Sequence, residues 1–228
     1  DDYIKSVKHR SLGLTIRQKT LLQLLVCISY LTSLYMGMQG VPHMFVPFIG
    51  TFELGFFYWI FGVVVIYATV NAVNFTDGID GLCSSVTVVY MAAFAIISGI
   101  VGAFGHTLLS MCVAGGCIGF LMWNFPPAKV FMGDTGSMFF GGIVTALGIG
   151  ANAEVLMVIA SAVYIWEALT VLIQMIYFKL THGKRLFKMT PIHHSFEIRG
   201  WKEVKIVVVF SLIAAAAGVA AILLVNGL

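Results

Sequence analysis

Two aspartates lie between glycines in the segment 74–81, which reads NFTDGIDG. Asp77 and Asp80 are three residues apart, so their carboxylates can face the same way if a helical turn forms. Gly78 and Gly81 let the backbone approach a ligand closely, and a helix beginning here would present free N–H groups to an anion. The simpler alternative is that Asp80 only caps this helix, although capping and function can coexist.

A second glycine-rich segment, 124–137, reads NFPPAKVFMGDTGS. Asp134 could ligate a cation, and the glycines and hydroxyls around it could hold a phosphate at a helix N-terminus. The segment lacks the lysine of a P-loop, so it is not a Walker motif. Phe131 could stack on a planar base, but an aromatic anchor at the membrane interface is the better interpretation of this residue alone.

The chain opens with a third acidic segment, DDYIK. Adjacent carboxylates at Asp1 and Asp2, with Lys5 one helical turn later, could bind a metal, hold a phosphate or move a proton. A solvated loop is the alternative for so short a pattern. Because neither an initiator Met nor an apolar lead-in precedes Asp1, we expect further helices before this segment.

Paired histidines, His193 and His194, occupy the segment PIHHSFE at 191–197. Neighbouring imidazoles suggest metal ligation or phosphate contact. Zinc is poorly supported, because neither a cysteine nor an HExxH pattern accompanies them. Several basic residues nearby would suit a phosphate, although most of them also orient a protein in a membrane.

Two polar residues, Glu167 and Gln174, lie seven positions apart in an apolar stretch and so share one helix face. A charged residue in the middle of a membrane costs roughly 2.5–3.5 kcal/mol on insertion scales, so it usually faces protein or water. Gln174 lies nearer the cytoplasmic end and could reach a site there. A functional and a purely structural role stay open for Glu167.

The elements that must position these groups are membrane-spanning helices. Hydrophobic residues make up 60% of the chain and charged residues 10%, against roughly 25% charged in a soluble domain. The chain is therefore predicted to be an all-α integral membrane protein, a polytopic helical bundle forming a single domain over 1–228. The seven predicted spans are 20–38, 54–73, 82–101, 107–124, 136–150, 154–179 and 204–226. The stretch 39–53 indicates a short loop or β-hairpin.

Charge patterning assigns a side to each loop. With seven spans, the segments 1–19, 74–81, 125–135 and 180–203 share one side, and every lysine and arginine lies on that side or at its border. The positive-inside rule makes this side cytoplasmic. All the aspartates lie there too, which that rule does not explain, so we expect a shared site. A net charge of +3 is too weak to indicate a nucleic-acid partner.

Acids, paired histidines and bases at one membrane surface fit metal-assisted phosphoryl transfer, with a lipid as one substrate. The segments DDYIK, NFTDGIDGL, NFPPAKVFMGDTGS and GKRLFKMTPIHHSFE follow one another in this chain. In that order they closely resemble the polyprenyl-phosphate N-acetylhexosamine-1-phosphate transferase superfamily. Within it, the KMTPIHHSFE loop is similar to the phospho-N-acetylmuramoyl-pentapeptide transferase branch.

The resemblance implies a ten-helix fold, of which this chain would supply the last seven helices. It implies a Mg²⁺-dependent reaction of UDP-MurNAc-pentapeptide with undecaprenyl phosphate, giving lipid I and UMP in peptidoglycan synthesis. The active site would face the cytoplasm of a bacterial inner, or plasma, membrane. The oligomeric state is not determined, and a homodimer stays open.

Residue roles implied by the resemblance follow from matching positions. Catalytic roles fall to Asp1, Asp2, Asp80, His193 and His194, and the magnesium ligand is Asp134. Substrate binding is assigned to Lys5, Asn74, Asp77, Gly81, Leu82, Asn124, Phe131, Ser137 and Gln174, with Phe131 stacking on uracil. The third residue of the family's histidine run is Ser195 here, so an essential role for that position is not expected.

Several alternatives stay open. A one-step transfer, with Asp1 or Asp2 as the base, is favoured over a two-step reaction through a phospho-enzyme on Asp80. A UDP-GlcNAc-dependent transferase is the nearest alternative activity. A lipid transporter or flippase would need polar residues in the middle of several spans, and here Glu167 is the one clearly ionisable deep residue.

Overall fold

A computed structural model describes residues 13–37 and 43–225 of the 228-residue chain. Asp1, Asp2 and Lys5 lie outside the described residues. Within them, the helices are α1 (Ile16–Gly37), α2 (Phe57–Thr76), α3 (Leu82–Ile100), α4 (Phe104–Asn124), α5 (Gly133–Gly150), α6 (Glu154–Ala160), α7 (Ala162–Leu180), α8 (Ile192–Ile198) and α9 (Glu203–Leu224). The prediction of a polytopic all-α membrane protein is confirmed.

Six of these helices are long and apolar enough to cross a membrane: α1, α2, α3, α4, α7 and α9. The fifth predicted span corresponds to α5, which has 18 residues and is less apolar. Nevertheless, α5 runs antiparallel to α2 over its whole length. Asp134 at its start contacts Asn74 near the end of α2, and Glu154 just beyond its end contacts Tyr58 at the beginning of α2. The helix α5 therefore lies alongside a helix that is long and apolar enough to cross a membrane.

The sixth predicted span, 154–179, is interrupted. It consists of α6 and α7, which meet at Ser161, a residue that ends one helix and precedes the next. The Ser161 N–H still donates to Met157 and its carbonyl accepts from Ile165, so the backbone is kinked rather than broken. The tight connection predicted near 150–154 is present as the turn 151–153 between α5 and α6.

The loop 39–53 contains the expected hairpin, of which residues 43–53 are described. Strand β1 (His43–Val46) pairs antiparallel with β2 (Gly50–Glu53), with Val46 opposite Gly50. It lies at the end of the bundle opposite the glycine-rich turns, which we call the hairpin end.

Helix α3 lies at the centre of the bundle, packed against α4 and α9, and is the most buried span. Tyr90, Met91, Phe94 and Ile97 are enclosed in one apolar cluster along it. Its polar side chains are satisfied internally, as a membrane interior requires: Tyr90 donates to the carbonyl of Val144 on α5. This rigid centre brings the end of α2 and the beginnings of α3 and α5 to the same end, called here the site end.

Candidate active site

The α2–α3 turn, 77–81, carries two aspartates at the site end. Asp77 follows the last residue of α2, and Gly81 precedes α3 with φ at +73°. That left-handed conformation requires glycine, and a Cβ at Gly81 would also lie 3.2 Å from Pro126. The end of the turn at Gly81 therefore packs closely against the loop 125–132.

Asp80 is engaged in a tertiary contact rather than in capping. Its Oδ2 accepts a hydrogen bond from the backbone N–H of Ala128 at 2.8 Å, which joins the turn to the loop 125–132. The residue at the N-cap of α3 is Gly81, and no side chain caps that helix. The alternative that Asp80 is only a helix cap is therefore wrong.

Asp134, in the first turn of α5, is held from two sides. Asn74 Nδ2 on α2 lies 2.9 Å from Asp134 Oδ1 and equally 2.9 Å from Ser137 Oγ. Lys19 Nζ on α1 forms a 3.1 Å ion pair with Asp134 Oδ2. Ser137 is itself buried and donates to the carbonyl of Gly133. The predicted residues Asn74, Asp134 and Ser137 thus meet in one cluster.

Lys19 was not predicted as a site residue, because the sequence shows it only as one of several bases at a helix start. The sequence contains one weak indication of this role: Lys19 immediately precedes a predicted span, on the side that carries the aspartates. Only the packing of α1 against α2 shows that its ammonium reaches Asp134, 115 residues away.

A cavity of about 240 Å³ opens at the site end. Its lining consists of Asp77, Gly78, Ile79, Asp80, Asn124, Phe131, Met132 and Gly133. Burial, and to a smaller degree the nearby charge of Asp134, raises the pKa of Asp77 to about 7. Asp77 therefore titrates near neutral pH, and a cation bound beside it would favour its ionised form.

Asn124 and Phe131 belong to this cavity in different ways. Asn124 accepts from Ser84 Oγ and donates to the carbonyl of Val130, so its amide shapes the loop 125–132. Phe131 is 74% exposed at the cavity rim, where its ring is accessible to a planar ligand.

Two predicted substrate residues lie elsewhere. The Leu82 side chain is fully buried in the core, which leaves only its backbone near the turn. Gln174 Oε1 accepts the backbone N–H groups of Leu186 and Phe187, both at 3.0 Å. It lines a separate cavity of about 410 Å³, together with Lys179 and Arg185.

The paired histidines pack directly on the α2–α3 turn. His193 is completely buried, and a Cβ built on Gly78 would lie 2.2 Å from His193 Nε2 and 3.2 Å from His194 Nε2. His194 Nδ1 contacts Glu197, while Ser195 bonds the backbone of Met189. The structure therefore joins the histidine segment to the aspartate turn, and it places Ser195 in a structural role.

Glu167, for which the sequence favours neither a functional nor a structural role, lies beside the histidine pair. Its Oε1 lies 3.1 Å from His193 Nδ1, and both side chains are wholly buried. The deep glutamate of α7 is therefore part of the surroundings of the histidine pair.

Comparison with known proteins agrees with this arrangement. A profile of glycosyl transferase family 4 matches residues 1–152. Phospho-N-acetylmuramoyl-pentapeptide-transferases of Bacillus thuringiensis (strain Al Hakam) and Bacillus cereus (strain AH187) are 45% identical over 213 residues, and that of Bacillus anthracis (strain A0248) is 44% identical.

These alignments cover 92% of the chain but 64% of each relative, so the chain spans less than two thirds of the relatives' length. The similarities confirm the resemblance inferred from the four motifs. Because the profile covers 152 of the 228 residues, including the Asp77–Gly81 turn and Asp134, the chain belongs to glycosyl transferase family 4.

Proposed function

We propose that the full-length protein transfers phospho-MurNAc-pentapeptide from UDP-MurNAc-pentapeptide to undecaprenyl phosphate, giving lipid I and UMP at the cytoplasmic face of the bacterial plasma membrane. One observation carries the proposal: Asp77, Asp80 and Asp134 converge with a buried histidine at one end of a membrane-spanning bundle. The names of the similar Bacillus proteins point to the same reaction.

The described residues fit Mg²⁺ as the metal of this reaction. Among them, no three histidine, cysteine or acidic side chains are grouped to hold a metal unaided. Mg²⁺ commonly takes one or two carboxylates and completes its shell with water and substrate phosphates. Asp134, with Asp77 close enough to be influenced by its charge, meets that requirement. When bound, Mg²⁺ would neutralise charge on the diphosphate of the donor.

The 240 Å³ cavity and its lining residues support a position for the donor at this end of the bundle. Phe131 would stack on uracil at the rim, while Asn124 and Gly81 fix the loop beside it. Asn74 would orient the Asp134 carboxylate toward the diphosphate by holding its Oδ1. Lys19, whose ammonium already lies against Asp134, would supply a positive charge for a phosphate oxygen.

The chemical step is proposed as one in-line displacement. A carboxylate of Asp1 or Asp2 would take the proton of the lipid phosphate. A phosphate oxygen would then attack the phosphorus that carries the sugar, and the bond from that phosphorus to the UMP oxygen would break. In the two-step alternative Asp80 attacks first. Its Oδ2 accepts from Ala128, which leaves only Oδ1 free of a backbone partner in the described part of the chain.

The experiment is UMP release by the full-length protein in detergent. We expect release from UDP-MurNAc-pentapeptide to require both undecaprenyl phosphate and Mg²⁺ and to be lost in Asp134→Ala. Glu53→Gln, in the hairpin at the opposite end, is the control and should keep full activity. Release from UDP-GlcNAc alone would move the protein to the sister activity, and no release from either donor would reject the proposal.

Trapping experiments separate the two mechanisms. In the one-step reaction, donor added without undecaprenyl phosphate leaves the protein unmodified. A covalent phospho-sugar on Asp80, detected by mass spectrometry and lost in Asp80→Asn, would establish the two-step reaction instead.

A further inference from the structure

Glu167 and His193 form an enclosed acid–imidazole pair between α7 and α8. Glu167 Oε1 lies 3.1 Å from His193 Nδ1, and the exposed fraction of each side chain is 0%. Within residues 13–37 and 43–225, neither side chain makes an aligned hydrogen bond to any group, so their mutual contact is a close approach at ion-pair distance rather than an aligned hydrogen bond. Among the described residues, Glu167 is therefore the only side chain at ion-pair distance from His193, and His193 is the only one at ion-pair distance from Glu167.

The opposite edge of the same imidazole contacts the α2–α3 turn. A Cβ on Gly78 would lie 2.2 Å from His193 Nε2 and 2.8 Å from Cε1, so the ring edge abuts the backbone between Asp77 and Asp80. The imidazole thus has its Nδ1 beside Glu167 Oε1 and its Nε2 beside the turn. A histidine between two such partners can transmit the position of one to the other.

The chemistry of the two partners determines where the proton lies. A carboxylate can accept a hydrogen bond but cannot donate one, so it favours the imidazole form that carries a proton on the facing nitrogen. Carboxylates that hold a histidine in this way fix its tautomer and ring orientation, and losing them typically costs about 10- to 100-fold in activity at metal sites. Because both groups are buried, leaving either of them charged without the other would be costly.

We propose that Glu167 is a positioning residue: it keeps a proton on His193 Nδ1 and so presents Nε2 to the Asp77–Asp80 turn. What Nε2 then contacts, a phosphate oxygen of the donor, rests on the proposed function. The pairing itself does not, because it is a property of the folded protein alone.

The direct test is the ¹⁵N NMR spectrum of the histidine side chains in the full-length protein, with His193 assigned by the resonances lost in His193→Asn. We expect wild-type His193 to carry a proton on Nδ1, in the neutral or the cationic ring. A neutral His193 protonated on Nε2 alone would overturn the proposal. Because this spectrum is of the wild-type protein, the result does not depend on whether any Glu167 variant folds.

Two variants of Glu167 extend the test. In Glu167→Gln the amide can offer either its oxygen or its NH₂ group, so we expect a mixture of tautomers. In Glu167→Leu no acceptor remains, and the Nε2-protonated form should predominate. Tyr164→Phe is the matched control, because it also removes a buried polar group from α7. The Tyr164 hydroxyl contacts Thr87 and not His193, so this variant should leave the His193 resonances unchanged. An unaltered tautomer in both Glu167 variants would contradict the proposal.

Activity adds a test of coupling. Glu167→Gln should lower UMP release about 10-fold or more in the wild-type background and have almost no further effect in the His193→Asn background. Equal losses in both backgrounds would show that Glu167 does not act through His193.

The two proposals fail separately. If wild type releases no UMP from either donor but shows the expected tautomer, the proposed function is wrong and the proposed Glu167–His193 pairing is supported. If UMP release is normal and His193 is protonated on Nε2 alone, the proposed pairing is wrong and the proposed function is supported.

Discussion

At the scale of single residues, Asp134 is the side chain that α1 and α2 both contact at the site. It accepts from Asn74 on α2 and pairs with Lys19 on α1, and its charge contributes to the raised pKa of Asp77. Asp134 thus has an amide and an ammonium group as neighbours and a second carboxylate nearby, an arrangement that suits a cation or a phosphate. The next two predictions concern Asp77 and Asp134.

Asp77 should make stability depend on pH. Its pKa is raised from 3.8 to about 7 in the folded protein. The folded protein therefore binds this proton more tightly than the unfolded chain, and the free energy of unfolding should fall as the pH rises from about 4 to 7. Asp77→Asn should remove this contribution and raise the free energy of unfolding at pH 8 by about 1–2 kcal/mol. That is less than the full shift implies, because solvent partly screens the carboxyl.

The measurement for Asp77 is the thermal unfolding midpoint at pH 5 and pH 8 in the presence of a chelator. The difference between wild type and Asp77→Asn should be small at pH 5 and larger at pH 8. Parallel pH profiles for the two proteins would show that Asp77 does not have a raised pKa.

Metal binding at Asp134 should appear in stability as well as in activity. With UDP present, saturating Mg²⁺ should stabilise the wild-type protein, by about 2.7 kcal/mol at one hundred times the dissociation constant. Asp134→Asn keeps an oxygen for Asn74 but removes the charge, so the response to Mg²⁺ should be largely lost. The unfolding midpoint with and without Mg²⁺ measures this, and a full response in Asp134→Asn would exclude Asp134 as the ligand.

At the scale of elements, the close approach of α5 to α2 is what brings Asp134 to Asn74. Gly141 permits it: a Cβ there would lie 2.6 Å from the Val70 Cα, which is backbone and cannot move aside. Small residues at helix contacts in membranes commonly serve this purpose. The adjacent Gly142 has open space around it.

This pair of glycines provides a matched test. Gly141→Ala should separate α5 from α2 and destabilise the protein by about 1–3 kcal/mol. Activity should fall as the contact between Asn74 and Asp134 lengthens. Gly142→Ala should be neutral or stabilising by about 0.5–1 kcal/mol, since alanine favours helix. Thermal unfolding and UMP release measure both effects, and the packing argument is wrong if the two variants behave alike.

At the scale of the whole molecule, the bundle has two chemically different ends. The site end carries the aspartate turn, Asp134 and the histidine segment, while the hairpin end has the exposed aromatic Phe48 at its tip. Among residues 13–37 and 43–225, the lysines and arginines lie at or near the site end, which the positive-inside rule predicts to face the cytoplasm.

Cysteine labelling on intact cells tests this orientation. In a Cys112→Ser background, which removes the exposed native cysteine, Phe48→Cys should react with a membrane-impermeant maleimide from outside. Lys184→Cys should react only after the cells are permeabilised. Labelling of Lys184→Cys in intact cells would reverse the proposed orientation.

Sequence by itself determined the class of the molecule, the long apolar helices and most of the residues that line the candidate site. This was possible because apolar length and charge distribution are local properties of the chain, and because the motifs at Asp77 and Asp134 are contiguous. The kink at Ser161 escaped prediction, since neither glycine nor proline marks the junction and its neighbours Ala160 and Ala162 are both apolar.

Tertiary structure alone decided which of these residues act together. Lys19 reaches Asp134 across 115 positions, and α8 folds back so that His193 meets Glu167 on α7 and Gly78 at the turn. The tertiary structure also buries the Leu82 side chain in the core and places Gln174 at a separate cavity. Such contacts depend on how close the helices approach each other, which small residues such as Gly78 and Gly141 permit and which no local pattern reveals.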